Sequence, residues 1–174
     1  MRHLETSVRV ATPSDADAIA QIYNHYVLQT VVTFEEEPVA ASEMKRRMEQ
    51  VLGANLPWLV AAQGSSIVGY AYATKWHKRA AYRHSVETSM YLAYDRQGQG
   101  IGSKLYAQVL RTLPERNVHA AIGGIALPND ASVALHEKFG FKKAAHYQEV
   151  GFKFDRWIDV GHWQILFKNR DRKS

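Results

Sequence analysis

The sequence predicts a mixed α/β fold, a sheet with helices on its faces, and three observations carry that prediction. Apolar residues recur at three- and four-residue steps in some segments and alternate in others, and the two kinds of segment are interleaved along the chain. A glycine-rich turn, Gln97-Gly98-Gln99-Gly100-Ile101-Gly102, joins an alternating segment to a helical one. At 174 residues, 46% of them hydrophobic, the chain suits one domain over residues 1–174 with its core at about 8–167.

Val8 to Ala11 reads as a strand. Thr12-Pro13-Ser14-Asp15 then supplies an N-cap, a proline at the first helical position and an acid three residues after the cap. Ile19, Ile22, Tyr23, Tyr26 and Val27 mark the buried face of the helix that follows. A second helix runs from about Ala41 to Leu52, with Met44, Met48, Val51 and Leu52 on one face and Gly53 placed to end it. The connection from Thr30 to Pro38 is neither helix nor strand, and reads either as cover for a ligand or as a surface loop.

Trp58 to Ala62, a turn at Gln63-Gly64-Ser65 and Ile67 to Lys75 form a hairpin pattern. After a basic loop, His84 to Ala93 alternates as a strand and leads into the glycine-rich turn. Ile101, Leu105, Val109, Leu110 and Leu113 mark the next helix, which Pro114 stops. Val118 to Ala126 is a strand, Ala131 to Phe139 a helix ending at Gly140, and Phe141 to Phe167 holds two or three aromatic-rich strands. The order is βααβββαβα followed by strands, with no repeat, linker or low-complexity segment.

Composition removes several function classes. With no cysteine, disulfides, thiolate metal sites and a cysteine nucleophile are excluded. The start, Met1-Arg2-His3-Leu4-Glu5, has no apolar stretch, and runs such as Trp58 to Ala62 are too short to span a bilayer. A soluble, cytoplasmic protein with no membrane partner is therefore expected. The net charge of +5 gathers in Lys75 to His84 and in a tail, Lys168 to Lys173, which reads as a frayed end. A nucleic-acid-binding module would account for this charge but not for Glu87 or the glycine spacing, so an anionic cofactor and substrate are expected instead of nucleic acid.

Glycines at alternate positions ahead of a helix leave backbone N–H groups free to converge on an anion such as a pyrophosphate. The helix dipole adds only about 0.3–1 kcal/mol per exposed charge. Two other nucleotide motifs fail here: the dinucleotide fingerprint needs glycine where Ser103 stands, and a P-loop needs Gly-Lys-Ser/Thr where the chain has Gly102-Ser103-Lys104. A tight turn without a ligand is the alternative reading. Glu87 sits within an apolar strand, where a carboxylate costs free energy unless it is paired or used.

Gln97-x-x-Gly100-x-Gly102 resembles the Gln/Arg-x-x-Gly-x-Gly/Ala acetyl-CoA motif of the GNAT acetyltransferases. Several other segments are similar to phosphinothricin and methionine sulfoximine N-acetyltransferases: Ile22-Tyr23-Asn24, Tyr82 to Tyr91, Leu127 to Ser132, Leu135 to Phe141, Gly151-Phe152-Lys153 and Trp157-x-Asp159-Val160. The resemblance covers residues 8 to 167. It implies a central, mixed, mostly antiparallel twisted sheet with helices on both faces and a splayed strand pair that grips acetyl-CoA, with no metal. It further implies main-chain bonds to pantetheine from Met90, Tyr91 and Leu92, phosphates on the turn from Gln97 to Gly102 near Ser103 and Lys104, and Asn129 and Ser132 on the far side of the cofactor. Met90 and Leu92 as core, Lys104 as a solvated position and Asn129 as a cap are the competing readings.

The same resemblance implies roles in the chemistry. An amine must lose its proton to attack a thioester, and amino groups with pKa of ~8 to ~10.4 are mostly protonated at neutral pH, so a base is needed; the resemblance assigns it to Glu87. His136 stands where many relatives have tyrosine, and is read as general acid for the departing thiolate or as a structural histidine. Trp76, Lys78, Arg79 and Tyr82 are candidates to hold an amino-acid-like substrate beside Glu87, against the reading of a solvated basic loop. Phe34 covers the substrate's methylenes or packs on the first helix. His77 departs from the lysine of phosphinothricin-type relatives, so the expected acceptors are a class: L-methionine sulfoximine, methionine sulfone or phosphinothricin. A homodimer through the aromatic strands around Trp157 and Trp163 is also implied. The rival functions are a protein or peptide N-terminal acetyltransferase and a silent acyl-CoA sensor.

Overall fold

The structure, a computed structural model, describes residues 5–168; the first four residues and the basic tail beyond Lys168 lie outside it. The chain runs β1 (Thr6–Val10), α1 (Ala16–Gln29), α2 (Ala41–Gly53), β2 (Trp58–Gln63), β3 (Ser66–Lys75), β4 (Ser85–Leu92), α3 (Ile101–Thr112), β5 (Ala120–Leu127), α4 (Asp130–Lys138), β6 (Lys142–Lys153) and β7 (Arg156–Leu166). This is the order that the alternation of periods predicts, with the last segment resolved into two strands.

The strands form one seven-stranded sheet in the order β1-β2-β3-β4-β5-β7-β6. Among the described residues every neighbouring pair is antiparallel except β4 and β5, which are parallel. Consecutive side chains of β4 show which helices cover which face. The Tyr91 ring meets Tyr23 and Tyr26 of α1 at centroid distances of 5.1 and 5.2 Å, whereas the side chains of Met90 and Leu92 approach Gly102 of α3. Because neighbouring strand residues point to opposite faces, α1 and α3 lie on opposite sides of the sheet. Stacked rings of Trp58, Tyr70 and Tyr72, with Trp58 and Tyr72 only 4.1 Å apart, continue the α1-side aromatic layer across β2 and β3.

Local sequence explains the ends of the elements. Asp15 accepts from the Thr12 N–H at 2.7 Å and pairs with Arg9 through two 2.7 Å bonds, which fixes the entry to α1. At the end of α2 the left-handed residue is Asn55, at φ 57°, while Gly53 remains inside the last turn. Gly140, at φ 88°, ends α4 with its N–H donating to Glu137 O and the Phe141 N–H to His136 O.

The connection between α1 and α2 is tied down at several points. Tyr23 Oη and Thr33 Oγ1 are 2.7 Å apart, Asn24 bonds both the N–H and C=O of Val39, and Arg47 pairs with Glu35 at 2.6 Å. From the far edge of the sheet, Lys153 reaches in and donates to the carbonyls of Val27, Thr33 and Glu35 at 2.7, 2.8 and 2.8 Å. Lys153 is 2% exposed, and burial pulls its pKa below the ordinary lysine value. Phe34 rests on the bare Cα of Gly151 in β6, so its packing partner is this hairpin. The segment is thus a fixed wall. Lys153→Met, which keeps the length and removes the donor, is expected to lower the unfolding free energy by about 2–4 kcal/mol in urea titration, because three buried carbonyls lose their partner. An unchanged midpoint would show that the clamp contributes nothing.

Candidate active site

β4 and β5 begin as partners and then separate. Their pairing holds for Ser85↔Ala120, Val86↔Ala121 and Glu87↔Ile122 and goes no further. Beyond that point β4 stays with β3 as far as Leu92↔Gly69, and β5 stays with β7 as far as Leu127↔Asp159. Each strand follows its outer neighbour, and a cavity of about 580 Å³ opens between them. Thr88 to Leu92 line one wall and Gly124 to Ala126 the other.

The glycine-rich turn closes one end. Gly98 and Gly100 have φ of 73° and 76°, a left-handed region that L side chains rarely adopt, and no atom would meet a Cβ at either within 4 Å. Gly100 is the N-cap of α3, whose first N–H groups have no partner inside the helix. Gly100, Gly102 and Ser103 line the cavity at this helix start, a placement that suits an anion such as pyrophosphate. On the opposite side, Asn129 Oδ1 caps α4 by accepting from Ser132 N–H at 3.1 Å, and both residues line the cavity. The parted main chains and the anion cradle fit an extended pantetheine with a pyrophosphate at its end.

Not every side chain in the motif faces this space. Gln97 does line it, and donates to Tyr26 Oη at 3.2 Å while Tyr26 donates to Leu92 O at 2.7 Å, so Gln97 also braces the wall through α1. Gln99 bonds Asp95 O, Ile101 is buried in the core, and the Lys104 ammonium is engaged by Thr6 O at the edge of β1. A cation that sequence reasoning passed over, Lys138, lies 3.0 Å from Ser103 Oγ at the cavity mouth.

His136 approaches from α4. Its Nδ1 is 2.8 Å from Ser132 O, and a carbonyl only accepts, so the proton is on Nδ1 and Nε2 is bare. Nε2 is buried against the Cα of Gly123 with no partner. Burial pulls the histidine pKa down, which keeps the ring neutral. The Tyr106 ring sits 5.2 Å from it, and Tyr106 Oη is 2.7 Å from Thr88 Oγ1 on β4.

Glu87 lies on the other face. Its Oε1 would be 3.2 Å from a Cβ on Gly124, whereas His136 meets Gly123, the preceding residue. Adjacent residues of β5 point in opposite directions, so the two groups address the parted strands from opposite sides. Burial raises the Glu87 pKa, opposed in part by the nearby His77. A line of rings flanks Glu87: Tyr82 to His77 at 4.9 Å, His77 to Trp76 at 4.8 Å, Trp76 to His162 at 5.3 Å and His162 to Tyr147 at 5.3 Å. Lys78 and Arg79 are exposed on the same loop. The sequence reading did not single out His162, Tyr106 or Thr88. The Gly123-Gly124 doublet inside a strand was the available signal, since glycine there marks a close approach.

A parted parallel strand pair with an anion-binding turn at its end defines an acyl-CoA-binding transferase. Residues 8–162 match the acetyltransferase (GNAT) domain family, and the chain belongs to it. Phosphinothricin N-acetyltransferase of Alcaligenes faecalis is 42% identical over 157 residues, 88% of this chain and 79% of the relative. L-methionine sulfoximine/L-methionine sulfone acetyltransferase of Salmonella typhimurium is 34% identical over 161 residues, 91% of this chain and 93% of the relative. Among solved structures, an acetyltransferase of Salmonella typhimurium with its cofactor acetyl-CoA superposes with a TM-score of 0.93 at 30% identity, covering 97% and 98% of the two chains. A ribosomal-protein-alanine N-acetyltransferase of Brucella melitensis superposes at 0.90 and 35% identity, covering 92% and 99%. The chain is an acetyl-CoA-dependent N-acetyltransferase. Among the described residues there is no metal-binding cluster and no helix long and apolar enough to cross a membrane.

The direction of the Glu87 shift has a consequence for stability. A carboxyl whose folded pKa is raised binds more protons folded than unfolded, so it costs stability as pH rises from the ordinary carboxyl value through the raised one. Glu87→Gln is therefore expected to melt higher than the unsubstituted protein near pH 8 and at about the same temperature near pH 4, as read by calorimetry. Equal shifts at both pH values would remove burial as the cause.

Proposed function

We propose that the protein acetylates the amine of a small amino-acid-like acceptor such as L-methionine sulfoximine, methionine sulfone or phosphinothricin. The observation that carries this reading is the desolvated Glu87 carboxylate beside the bare Gly124, at the point where β4 and β5 separate. Glu87 takes a proton from the acceptor's ammonium, and the freed nitrogen lone pair attacks the acetyl carbonyl held between the strands. A main-chain N–H of β4 near Leu92 polarises that carbonyl. Two protons leave the nitrogen in a turnover; one ends on the coenzyme A thiol and the other reaches solvent. His136 stands at the sulfur end. With Nε2 bare it is a hydrogen-bond acceptor there, and it could give a proton to the thiolate only after first gaining one against burial. The larger share of the acceleration is therefore assigned to Glu87.

On the acceptor side, Trp76, Tyr82 and Phe34 supply apolar walls, while the exposed Arg79 and Lys78 are free to meet the acceptor's carboxylate and its second polar group. Met90, Tyr91, Leu92, the turn from Gln97 to Gly102, Ser103, Asn129 and Ser132 hold the acyl donor, with Gln97, Gln99, Ile101 and Lys104 acting through the shape of the turn. The whole chain is read as one acetyltransferase unit working in the cytoplasm, where its acyl donor is found. Likeness to a ribosomal-protein-alanine N-acetyltransferase favours a second reading, transfer to a peptide N-terminus.

Thiol release separates the two. Turnover with L-methionine sulfoximine or phosphinothricin is expected, with short peptides inert, and Glu87→Gln is expected to lose about a hundredfold or more in kcat while binding acetyl-CoA with unchanged affinity. Activity on peptides alone would sink the small-acceptor reading.

We also propose a homodimer. Val150, Phe152, Phe154 and Trp157 crowd the β6–β7 hairpin with more than half of their surface exposed, whereas Trp163 is buried and belongs to the core. Phe152→Glu with Trp157→Glu should convert a dimer to a monomer in sedimentation analysis, and a monomeric starting protein would end this proposal.

A further inference from the structure

Between Ala120 and Ala126, β5 is buried at every residue except Gly124. This exposed glycine also lines the cavity, so the bare main chain there is shared between the parted strands and the Glu87 face. A Cβ at position 124 would lie 3.2 Å from Glu87 Oε1 and 3.3 Å from both Nε2 and Cδ2 of His162. A carboxylate and an imidazole edge therefore flank one gap whose floor has no side chain. A nitrogen seated between them reaches both at ordinary hydrogen-bond lengths of ~2.9 Å.

His162 is held for such a role. It faces Gly124 across the β5–β7 pair, and its ring meets both Trp76 and Tyr147 edge-on, each at 5.3 Å. Burial alone lowers its pKa, with no hydrogen bond or charge to offset it, so the ring stays neutral and keeps one nitrogen bare. A neutral imidazole cannot anchor a carboxylate as a cation would, but it can accept an N–H.

We propose that the acceptor amine docks over Gly124 between Glu87 and His162, and that His162 Nε2 accepts one of its N–H bonds. The inference rests on the small-acceptor acetyltransferase reading and adds a substrate-binding residue to it. As the ammonium arrives, one N–H bond breaks with its electron pair staying on nitrogen and its proton passing to Glu87. A second N–H stays bonded to His162. The lone pair is left facing Glu87, and a turn about the C–N bond then brings it to the gap between β4 and β5 while an N–H comes to lie toward each of Glu87 and His162.

The test uses acetyl-CoA with L-methionine sulfoximine, or the amine of highest turnover in the thiol-release screen. His162→Phe keeps a ring against Trp76 and Tyr147 and removes the acceptor nitrogen; it should lower kcat/KM for the amine by about three- to tenfold with unchanged acetyl-CoA affinity in calorimetry. His162→Gln, which returns an acceptor near the Nε2 position, should recover most of that loss. Gly124→Ala should lower amine turnover by about a hundredfold or more at the same acetyl-CoA affinity, because its methyl occupies the seat. Phe at the unsubstituted kcat/KM, Gln as impaired as Phe, or full activity in Gly124→Ala would each overturn the inference. An unsubstituted protein that binds acetyl-CoA and acetylates no amine would instead overturn the acetyltransferase reading on which the inference stands.

Discussion

The structure depends on a hydrogen-bond ladder that stops. After Glu87↔Ile122, β4 and β5 have no further pairing, although each continues for several residues beside its outer neighbour. A parallel pair at the centre of a sheet would ordinarily continue, since an unpaired main-chain group away from water costs about 1–3 kcal/mol. Part of that cost is offset locally: Tyr26 donates to Leu92 O, and the Thr88 hydroxyl reaches both Tyr106 and, at 3.4 Å, Ile122 O. The remaining groups face a cavity that admits an extended chain with its own amides. The candidate site is the place where the sheet lacks a strand.

That vacancy sets the division of labour. A thioester lying between two strands can be approached only from the two faces of the sheet, and two consecutive glycines on β5 clear both approaches. Gly123 lets the His136 ring lie on the main chain from the α4 side, and Gly124 leaves the Glu87 side open. In the proposed reaction this keeps nucleophile and leaving group apart, so the proton taken from the incoming nitrogen and the charge left on the departing sulfur do not compete for one side chain. The wall beyond Glu87 is fixed from two directions, by Lys153 gripping the α1–α2 connection and by the hairpin that presents Tyr147 and His162.

Much of this could be read from the residues because it is local. Period, caps and glycine placement give the order of elements, and Gly98 and Gly100 adopt the left-handed backbone that explains their presence. The separation of β4 from β5 has no local signature, since it depends on which neighbour each strand follows, and it entered only through family resemblance. Side-chain direction was equally hidden: Lys104 belongs to the glycine-rich motif in sequence, yet its ammonium turns to Thr6, and Gln97 spends its donor on Tyr26. Tyr26 itself, at helical spacing among apolar residues, reads as core, and its hydroxyl is what joins α1 to the cavity wall. Trp163 and Trp157 look alike in an aromatic-rich strand, but β7 buries one and exposes the other.

Burial acts on the ionisable groups of the site in opposite directions with a common result. It raises the carboxyl of Glu87 and lowers both His136 and His162, so each is pushed toward its neutral form. Had His162 been cationic beside Glu87, the pair would have stabilised the carboxylate and weakened it as a base, as His77 does to a limited degree from further along the aromatic line. With His162 neutral, the proposed docking makes the acceptor's ammonium the cation that Glu87 meets in this gap. On that proposal the attraction that seats the acceptor is the same one that proton transfer consumes, and the raised basicity of the carboxylate acts on the bond that must break.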